Sequence, residues 1–363
     1  MSDIDNKKIL IVINNLGVGG AERVVVNDLN ELFRQGACVR LLTLKKEWSH
    51  SIFPDCAIEK KYWQVINFGS LLNIVSWTKV IIYIWKEKPN VVFTHLWFSN
   101  TIMRIVCKLL GIKRVLSFEQ NVYDTIKTKK MYLMDRLLQG WCRKIVAVSS
   151  AVRNSLIRHG IKEKNIVVIN NAVDIDKYNK KPAPFLKEKL GIPKDVFIFL
   201  AVGRLVPQKG MDVLLKSFAQ LRGNLILLIA GRGSEEKKLK QLAADLNIEG
   251  KTLFLGARND IPDILSVCDI FVLASRYEGL PLAVVEAMAA AKPIIITDFE
   301  GGKDIIVSGE NGLVVEMENV EALARAMAGL MSDKDLRIKL SQNAYKKVQD
   351  FSIQSHINQL LEV

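Results

Sequence analysis

A chain of 363 residues is too long for one ordinary core and suits two domains. Its hydrophobic fraction of 49% and its charged fraction of 25% are ordinary for a globular protein. The five cysteines are scattered and form no C-x-x-C pair, so we expect reduced thiols and neither disulfides nor a zinc site. Reduced thiols favour a cytoplasmic protein. The chain starts without an apolar segment of the signal-peptide type, so we expect no signal peptide.

The net charge of +13 belongs to the first half of the chain. Residues 1–180 hold 28 Lys and Arg against 15 Asp and Glu, whereas residues 181–363 hold 23 of each. A basic half suits nucleic acid, a phosphorylated acceptor or an acidic membrane leaflet, and a solvated surface without a partner is the alternative. No helix-turn-helix, zinc or RNP-type motif supports nucleic acid, so we expect no nucleic-acid partner.

The first half alternates strands with loops and helices. A strand over 7–15 leads into a glycine-rich loop at 16–20, where the backbone can pass close to a ligand, and a helix begins at Ala21. The strand over 115–118 brings Gln120 to the edge of the predicted sheet. Further strands are predicted over 39–44, 90–94, 145–148 and 166–169, with an irregular region up to about residue 68.

Two segments of this half combine apolar and basic residues. Residues 69–88 are apolar around most of a helix, and Lys79 argues against a membrane-spanning helix. We favour a helix wrapped on several sides by its domain, with a helix dipping into a bilayer interface as the alternative. Residues 127–144 interleave Lys and Arg with Met, Leu and Trp, which suits an anionic membrane or a polyprenyl diphosphate, or else a helix with solvated lysines.

A proline-containing stretch over 170–195 predicts the interdomain linker. Beyond it, strands and helices alternate, which predicts a doubly wound parallel sheet of the α/β class. The strands are predicted to begin at Val196, Leu225, Thr252, Ile270 and Pro293, and the helices at Met211, Glu235, Ile261 and Leu282.

Residues 275–298, SRYEGLPLAVVEAMAAAKPIIITD, have the pattern strand end, loop, helix and strand. Glu278 lies in the loop at the carboxyl edge of the predicted sheet, where ligands bind, and Glu286 lies in the helix. Pro281 suits the first helical turn, and the N–H groups around Leu282 and Ala283 can bind an anion. Hydroxyl acceptors beside phosphate donors fit a nucleotide sugar.

Residues 202–210, VGRLVPQKG, leave another strand at the same edge. Arg204 and Lys209 therefore lie where a diphosphate needs cations. A pair of glutamates with seven residues between them is by itself more often a solvated helix surface, and the second motif is what favours a binding site.

These two motifs resemble those of the retaining glycosyltransferases of family 4. GVGGAER at 17–23, NNAVDIDKY at 170–178 and GGKDIIVSGENGLVV at 301–315 follow the family's order. The resemblance implies the GT-B fold, in which two Rossmann-like doubly wound parallel-sheet domains face a central cleft. Residues 1–175 would bind the acceptor, residues 176–352 would bind the donor, and a helix at 353–363 would return to the first domain.

The resemblance also implies roles for single residues. Glu278 would hold donor-sugar hydroxyls, while Arg204 and Lys209 stabilise the departing diphosphate without a metal. In many relatives a histidine stands about where Gln120 does, and glutamine cannot titrate, so an acid–base role is doubtful there. Glu286 would hold the ribose of the donor. The other implied donor contacts are Gly203, Arg258, Asn259, Gly279, Leu282 and Ala283. The implied residues of the acceptor crevice are Gly19, Gly20 and Gln120.

The resulting prediction is an enzyme that moves a sugar with retention of configuration. The donor is expected to be a UDP-linked N-acetylhexosamine or hexose, and the acceptor a polyprenyl-diphosphate-linked or other glycan. Neither a cofactor nor a metal is expected, and Asp174 and Asp176 are interpreted as structural. The protein would lie on the inner face of the cell membrane. A catalytically silent nucleotide- or glycan-binding protein at a membrane is the alternative, which Gln120 favours.

Overall fold

The computed structural model describes residues 7–17, 19–45, 58–122, 127–179, 184–193 and 195–363. The chain divides into an N-terminal unit, Met1–Ala172 with Ile353–Val363, and a C-terminal unit, Val173–Ser352. Val18 of the glycine-rich loop and Cys56 lie outside the described residues. The four described cysteines are free thiols.

The N-terminal unit is built on a parallel sheet whose described strands have the order β3-β2-β1-β4-β5-β6-β7. Strand β1 is apolar and buried on both faces, as expected when helices cover both sides of a parallel sheet. The elements are β1 Lys8–Ile13, α1 Gly20–Arg34, β2 Cys38–Thr43, β3 Trp63–Val65, α2 Ile74–Glu87, β4 Val91–His95, α3 Trp97–Leu109, β5 Val115–Glu119, α4 Lys129–Leu138, β6 Lys144–Ala147, α5 Ser150–Arg158 and β7 Ile166–Val168.

The C-terminal unit has a second parallel sheet, with the order β10-β9-β8-β11-β12-β13 among its described strands. The predicted doubly wound arrangement is confirmed, and the predicted strand starts are correct to within one residue. The elements are α6 Pro184–Lys189, β8 Phe197–Val202, α7 Met211–Phe218, β9 Leu225–Ala230, α8 Glu236–Asp245, β10 Thr252–Gly256, α9 Ile261–Val267, β11 Ile270–Leu273, α10 Leu282–Ala289, β12 Ile294–Thr297, β13 Leu313–Val315, α11 Val320–Ser332, α12 Lys334–Lys347 and, in the N-terminal unit, α13 Ile353–Glu362.

Helices cover the two faces of the N-terminal sheet differently. Helix α1 and the C-terminal helix α13 pack on one face, where Ile353, Ile357 and Leu360 join the core around Ile9 and Ile11. Helices α2 and α3 pack on the other face. The returning C-terminal helix therefore completes the core of a unit that begins more than 300 residues earlier.

The favoured interpretation of residues 69–88 is wrong. Helix α2 buries Ser76, Val80 and Ile84, whereas Ile74 is 79% and Trp85 61% exposed. The reason is that the polar residue Ser76 faces inward, where its hydroxyl donates a hydrogen bond to the Asn67 carbonyl at 3.3 Å. The apolar residues on the opposite side of the helix are consequently left uncovered.

Candidate active site

Two neighbouring strands place the predicted charged residues of the C-terminal unit together. Strands β8 and β11 are adjacent, but β8 leads toward β9 on one side and β11 toward β12 on the other. Such a reversal opens a crevice at the carboxyl edge of a parallel sheet, where ligands bind. Arg204 and Lys209 follow β8, and Glu278 follows β11.

Glu278 and Lys209 form an ion pair in this crevice. The Lys209 ammonium contacts Glu278 Oε1, and the two side chains are only 13% and 9% exposed, respectively. Ser275 Oγ donates to the same oxygen at 2.7 Å. From the described residues, Oε2 receives a single long contact of 3.4 Å, from Gln208 Nε2. The carboxylate is thus oriented through Oε1, and Oε2 can still accept a hydrogen bond from a hydroxyl group.

Arg204 is the second cation at this edge. Its side chain is exposed, and its guanidinium makes one long contact of 3.5 Å with Gln208 Oε1. Gln208 is buried and donates to the Tyr277 carbonyl at 2.8 Å, so it links the two loops beneath the cations. Arg204 has no ion pair with any residue that the structure describes, so it can reach toward an anion without breaking one.

A clamp formed by Arg276 and Asp212 ties the loop after β11 to the first turn of helix α7, which follows the loop after β8. Arg276 donates to both carboxylate oxygens of Asp212 at 3.1 and 2.9 Å and also pairs with Glu318. Burial raises the pKa of Asp212, but the hydrogen bonds and the charge of Arg276 outweigh it and hold the pKa below its ordinary value. The pairing likewise raises the pKa of the Arg276 guanidinium. Both groups therefore stay ionised at neutral pH.

Glycines allow the loops of this edge to approach closely. A Cβ on Gly231 would lie 1.8 Å from the Gly203 carbonyl oxygen, and one on Gly233 would lie 2.1 Å from that of Leu205. Gly301 approaches the Gly279 carbonyl in the same way, at 2.1 Å. The Gly231 and Gly233 segment was not predicted as part of the site, although a G-x-G pattern directly after a strand is a usable signal.

Helix α10 directs its N-terminus at the same edge. Pro281 is its N-cap residue and not, as predicted, part of its first turn. The N–H groups of Leu282 and Ala283 have no acceptor within the helix, so they and the helix dipole favour an anion. Glu286, 8% exposed, accepts a hydrogen bond of 2.8 Å from the Tyr178 hydroxyl. Tyr178 is a partner that the sequence did not reveal.

Arg258, one of the implied donor contacts, is paired with a nearby carboxylate. Its guanidinium donates to both carboxylate oxygens of Asp260, at 2.8 and 2.5 Å. Burial raises the pKa of Asp260, but the bonds from Arg258 outweigh it and lower the pKa overall. The neighbouring Asn259 is exposed.

The N-terminal sheet has its own reversal, between β1 and β4. Gly19 and Gly20 follow β1, His95 ends β4 and Gln120 follows β5, so the predicted crevice residues share this edge. Gly19 has extended backbone, and a Cβ on it would lie 2.3 Å from Oε2 of Glu22, the end of a flexible side chain that can move aside; a Cβ on Gly20 would meet nothing within 4 Å. The backbone around the loop therefore requires neither glycine. If glycine is required at these two positions, the reason is the close approach of a bound ligand to the loop.

Gln120 is held between two partners. Its Nε2 lies 3.2 Å from His95 Nδ1, and its Oε1 accepts from Asn171 Nδ2 at 2.9 Å. Burial, and secondarily the charge of His356, lower the pKa of His95 to about 3, so its imidazole is neutral at neutral pH. The network assigns the proton to Nε2, which has no partner among the described residues. Proton transfer near neutral pH is thus not expected from Gln120 or His95.

Four buried charges lie behind Gln120. Lys127 contacts Glu119 and Asp135, both at 2.8 Å, and Arg104 contacts Asp135 at 3.2 Å. All four side chains are at most 4% exposed. Lys127 is therefore not part of a membrane-facing stretch, and it fixes the end of β5 directly before Gln120.

No three His, Cys, Asp or Glu side chains in the described parts of the chain cluster as a metal site would require. Within the same residues, no helix has both the length and the apolar character needed to cross a membrane.

Comparison with known proteins identifies the family. Residues 18–177 match the model for Glycosyltransferase Family 4, and residues 183–347 match the model for Glycosyl transferases group 1. The UDP-Gal:α-D-GlcNAc-diphosphoundecaprenol α-1,3-galactosyltransferase of Escherichia coli is 30% identical over 314 residues, or 82% of this chain and 80% of its own length. The chain belongs to glycosyltransferase family 4.

Further relatives agree with this assignment. An N-acetylgalactosaminyltransferase of Campylobacter jejuni, named for an acceptor on diphospho-undecaprenol, is 26% identical over 95% of this chain and 96% of its own. The crystal structure of HepE from Anabaena, in complex with UDP and glucose, has a TM-score of 0.88 at 22% identity and covers 98% of both chains. The predicted GT-B fold and glycosyltransferase activity are confirmed.

Proposed function

We propose that this family 4 glycosyltransferase moves a hexose or N-acetylhexosamine from a UDP-sugar to a sugar on a polyprenyl diphosphate, with retention of configuration. The observation that carries the proposal is the Lys209–Glu278 pair at the strand reversal of the C-terminal unit. The names of the two relatives support the acceptor class, and UDP in HepE supports the donor. Such an acceptor places the enzyme at the inner membrane face as a peripheral protein.

The charged residues have complementary roles in this proposal. Glu278 accepts hydrogen bonds from donor-sugar hydroxyls through Oε2, while Ser275 and Lys209 hold Oε1. As the bond between the sugar C1 and the diphosphate oxygen breaks, negative charge grows on the diphosphate. Arg204, Lys209 and the N-terminus of α10 stabilise that charge, which is the electrostatic work a bound metal would otherwise do.

The acceptor hydroxyl attacks C1 from the face that the diphosphate leaves. A new C1–O bond replaces the old one, and the hydroxyl proton passes to an oxygen of the departing diphosphate. Gln120 and the neutral His95 do not take part in this proton transfer. Glu286, oriented by Tyr178, holds the ribose, and Gly203 and Gly279 let the loops lie close to the donor.

The substrate assignment can be tested by measuring release of nucleoside diphosphate from UDP-, GDP- and ADP-sugars, with and without a polyprenyl diphosphate sugar. We expect release from a UDP-sugar only, dependent on the lipid, undiminished by EDTA and absent in Glu278→Ala. Release from a GDP- or ADP-sugar would contradict the UDP assignment. Equal release with a non-lipid glycan acceptor would contradict the lipid assignment.

A further inference from the structure

Three helices lie side by side on one face of the N-terminal sheet. Helices α2, α3 and α4 follow β3, β4 and β5, and each connection crosses the sheet in the same direction, so right-handed crossovers place them on the same face. The middle helix, α3, is buried along most of its length and contacts both neighbours. The outer surface is therefore formed by α2, α4 and the end of α3.

This outer surface carries most of the large apolar side chains that are exposed in the part of the chain the structure describes. Nine of the fifteen large hydrophobic residues that are exposed in the described parts of the chain lie on it. Soluble proteins seldom expose apolar side chains in such a concentration unless the surface binds something. The nine residues, which with six lysines we call the α2–α4 surface, are Leu72, Ile74, Val75, Ile82, Trp85, Leu109, Leu133, Leu137 and Trp141.

The charges of the α2–α4 surface have one sign. The six exposed lysines have no acidic partner among the described residues. The acids within 69–88, 105–114 and 127–144 are Glu87, which pairs with Arg40 at 3.2 Å, and the buried Asp135. The lysines are Lys79, Lys86, Lys108, Lys113, Lys129 and Lys130.

This composition fits an anionic bilayer better than a second copy of the chain. Two copies meeting through this surface would bring the same lysines face to face. On a bilayer, the apolar side chains enter the boundary between headgroups and acyl chains while lysines meet anionic headgroups. Trp85 and Trp141, 61% and 40% exposed, have the amphipathic rings that favour the headgroup level.

We propose that the α2–α4 surface docks the enzyme on the anionic leaflet of a phospholipid bilayer. The inference deepens the proposed function and rests on it in one respect, since a lipid-linked acceptor requires the enzyme at a membrane. Helices α2 and α4 begin after β3 and β5 at the carboxyl edge of the sheet, the edge that carries Gln120 and His95. Docking through these helices presents that edge to lipid-borne headgroups.

The test is flotation of the full-length protein with vesicles of phosphatidylcholine alone or mixed with phosphatidylglycerol, without donor or acceptor. We expect binding only to the anionic vesicles, with salt weakening it. The charge variant Lys79→Gln/Lys86→Gln/Lys129→Gln/Lys130→Gln should bind more weakly by about fivefold for each lysine removed. The matched control, Lys237→Gln/Lys251→Gln/Lys334→Gln/Lys339→Gln, removes four exposed lysines of the C-terminal unit and should bind like the wild type.

A second variant, Ile82→Ser/Trp85→Ser, tests the apolar contribution and should also lose binding. Circular dichroism and the affinity for UDP should remain normal in every variant, because the changed side chains are exposed and lie outside the proposed donor site. Vesicle binding that is equal for the wild type and both surface variants would overturn the proposal. The proposal would also be overturned if the wild type did not bind vesicles but formed a dimer, and if the Ile82→Ser/Trp85→Ser variant were monomeric. Because these binding assays contain no substrate, their outcome is separate from that of the activity assays.

Discussion

Lys209 and Glu278 neutralise one another where water has little access, so each depends on the other. Removal of one partner leaves an uncompensated charge in a nearly buried site, which typically costs about 3–5 kcal/mol. Removal of both leaves no such charge. The pair is therefore both a structural unit and the proposed centre of catalysis, and stability measurements can separate the two roles.

A double-mutant cycle on unfolding by urea makes this separation. We expect Lys209→Met and Glu278→Gln each to lower the free energy of unfolding, and the double variant to be more stable than the sum of the two losses predicts. The exposed pair Lys238–Glu235, at 3.0 Å, is the control and should show a coupling of at most about 1 kcal/mol. Additive losses at Lys209 and Glu278 would show that the pair does not form in solution.

The sequence was sufficient to predict where these residues lie. The carboxyl ends of parallel strands share one edge, so motifs directly after two strands must meet if the strands are close. The sequence could not predict their partners. Ser275, Gln208 and Tyr178 touch Glu278 or Glu286 through side-chain geometry that is fixed only when the loops are packed.

Among the structural elements, the loops after β8 and β11 are held by the Arg276–Asp212 clamp. The pKa of Asp212 is lowered by folding, so the clamp stabilises the protein above the ordinary pKa of aspartate and is lost as the pH falls through the folded-state value. Asp212→Asn should lower the free energy of unfolding at neutral pH by about 1 kcal/mol or less, since the pair is partly exposed and screened. Unfolding measured from neutral to acidic pH should show this difference disappearing, and a constant difference would contradict the assignment.

The loop after β9 offers a test of close backbone approach. Gly231→Ala would force its Cβ against the Gly203 carbonyl at a φ of +152°, so we expect a loss of about 2 kcal/mol or more and weaker UDP binding by calorimetry. Gly329→Ala on helix α11 is the control, because nothing lies within 4 Å, and it should gain up to about 1 kcal/mol. Unchanged stability and UDP affinity in Gly231→Ala would refute the role of this loop.

At the scale of elements, the periodicity of residues 69–88 predicted a helix but gave the wrong surroundings. A nearly all-apolar helix suggests burial on all sides, yet among the described residues α2 packs on the sheet, on α3 and on the loop that precedes it, and its outer side stays uncovered. The helical periodicity of a sequence shows which residues lie on the same side of the helix. The tertiary structure decides which of those sides is covered by other elements. Helix α3 was not predicted. Strand β3 was not predicted either, because it has only three residues and falls within a stretch without clear alternation of apolar and polar residues.

For the whole molecule, the charge asymmetry read from the sequence has a structural counterpart. The excess of Lys and Arg in residues 1–180 is partly concentrated on the α2–α4 surface, while the balanced second half provides the proposed donor site. The return of α13 to the first core followed from the family resemblance, because no local pattern reveals a contact across such a sequence distance. Two parallel sheets with separate strand reversals thus serve two different substrates in the proposed reaction.

The most direct test of this account is single-turnover transfer of a labelled sugar from its UDP-sugar to a polyprenyl diphosphate sugar, with UDP affinity measured in parallel. For Glu278→Gln, checked to be folded at the assay temperature, we expect the transfer rate to fall at least about 100-fold, the range for a lost transition-state contact, while UDP affinity changes little. The product of the wild type should retain the anomeric configuration of the donor. Wild-type transfer rates in Glu278→Gln, or an inverted product, would contradict the account.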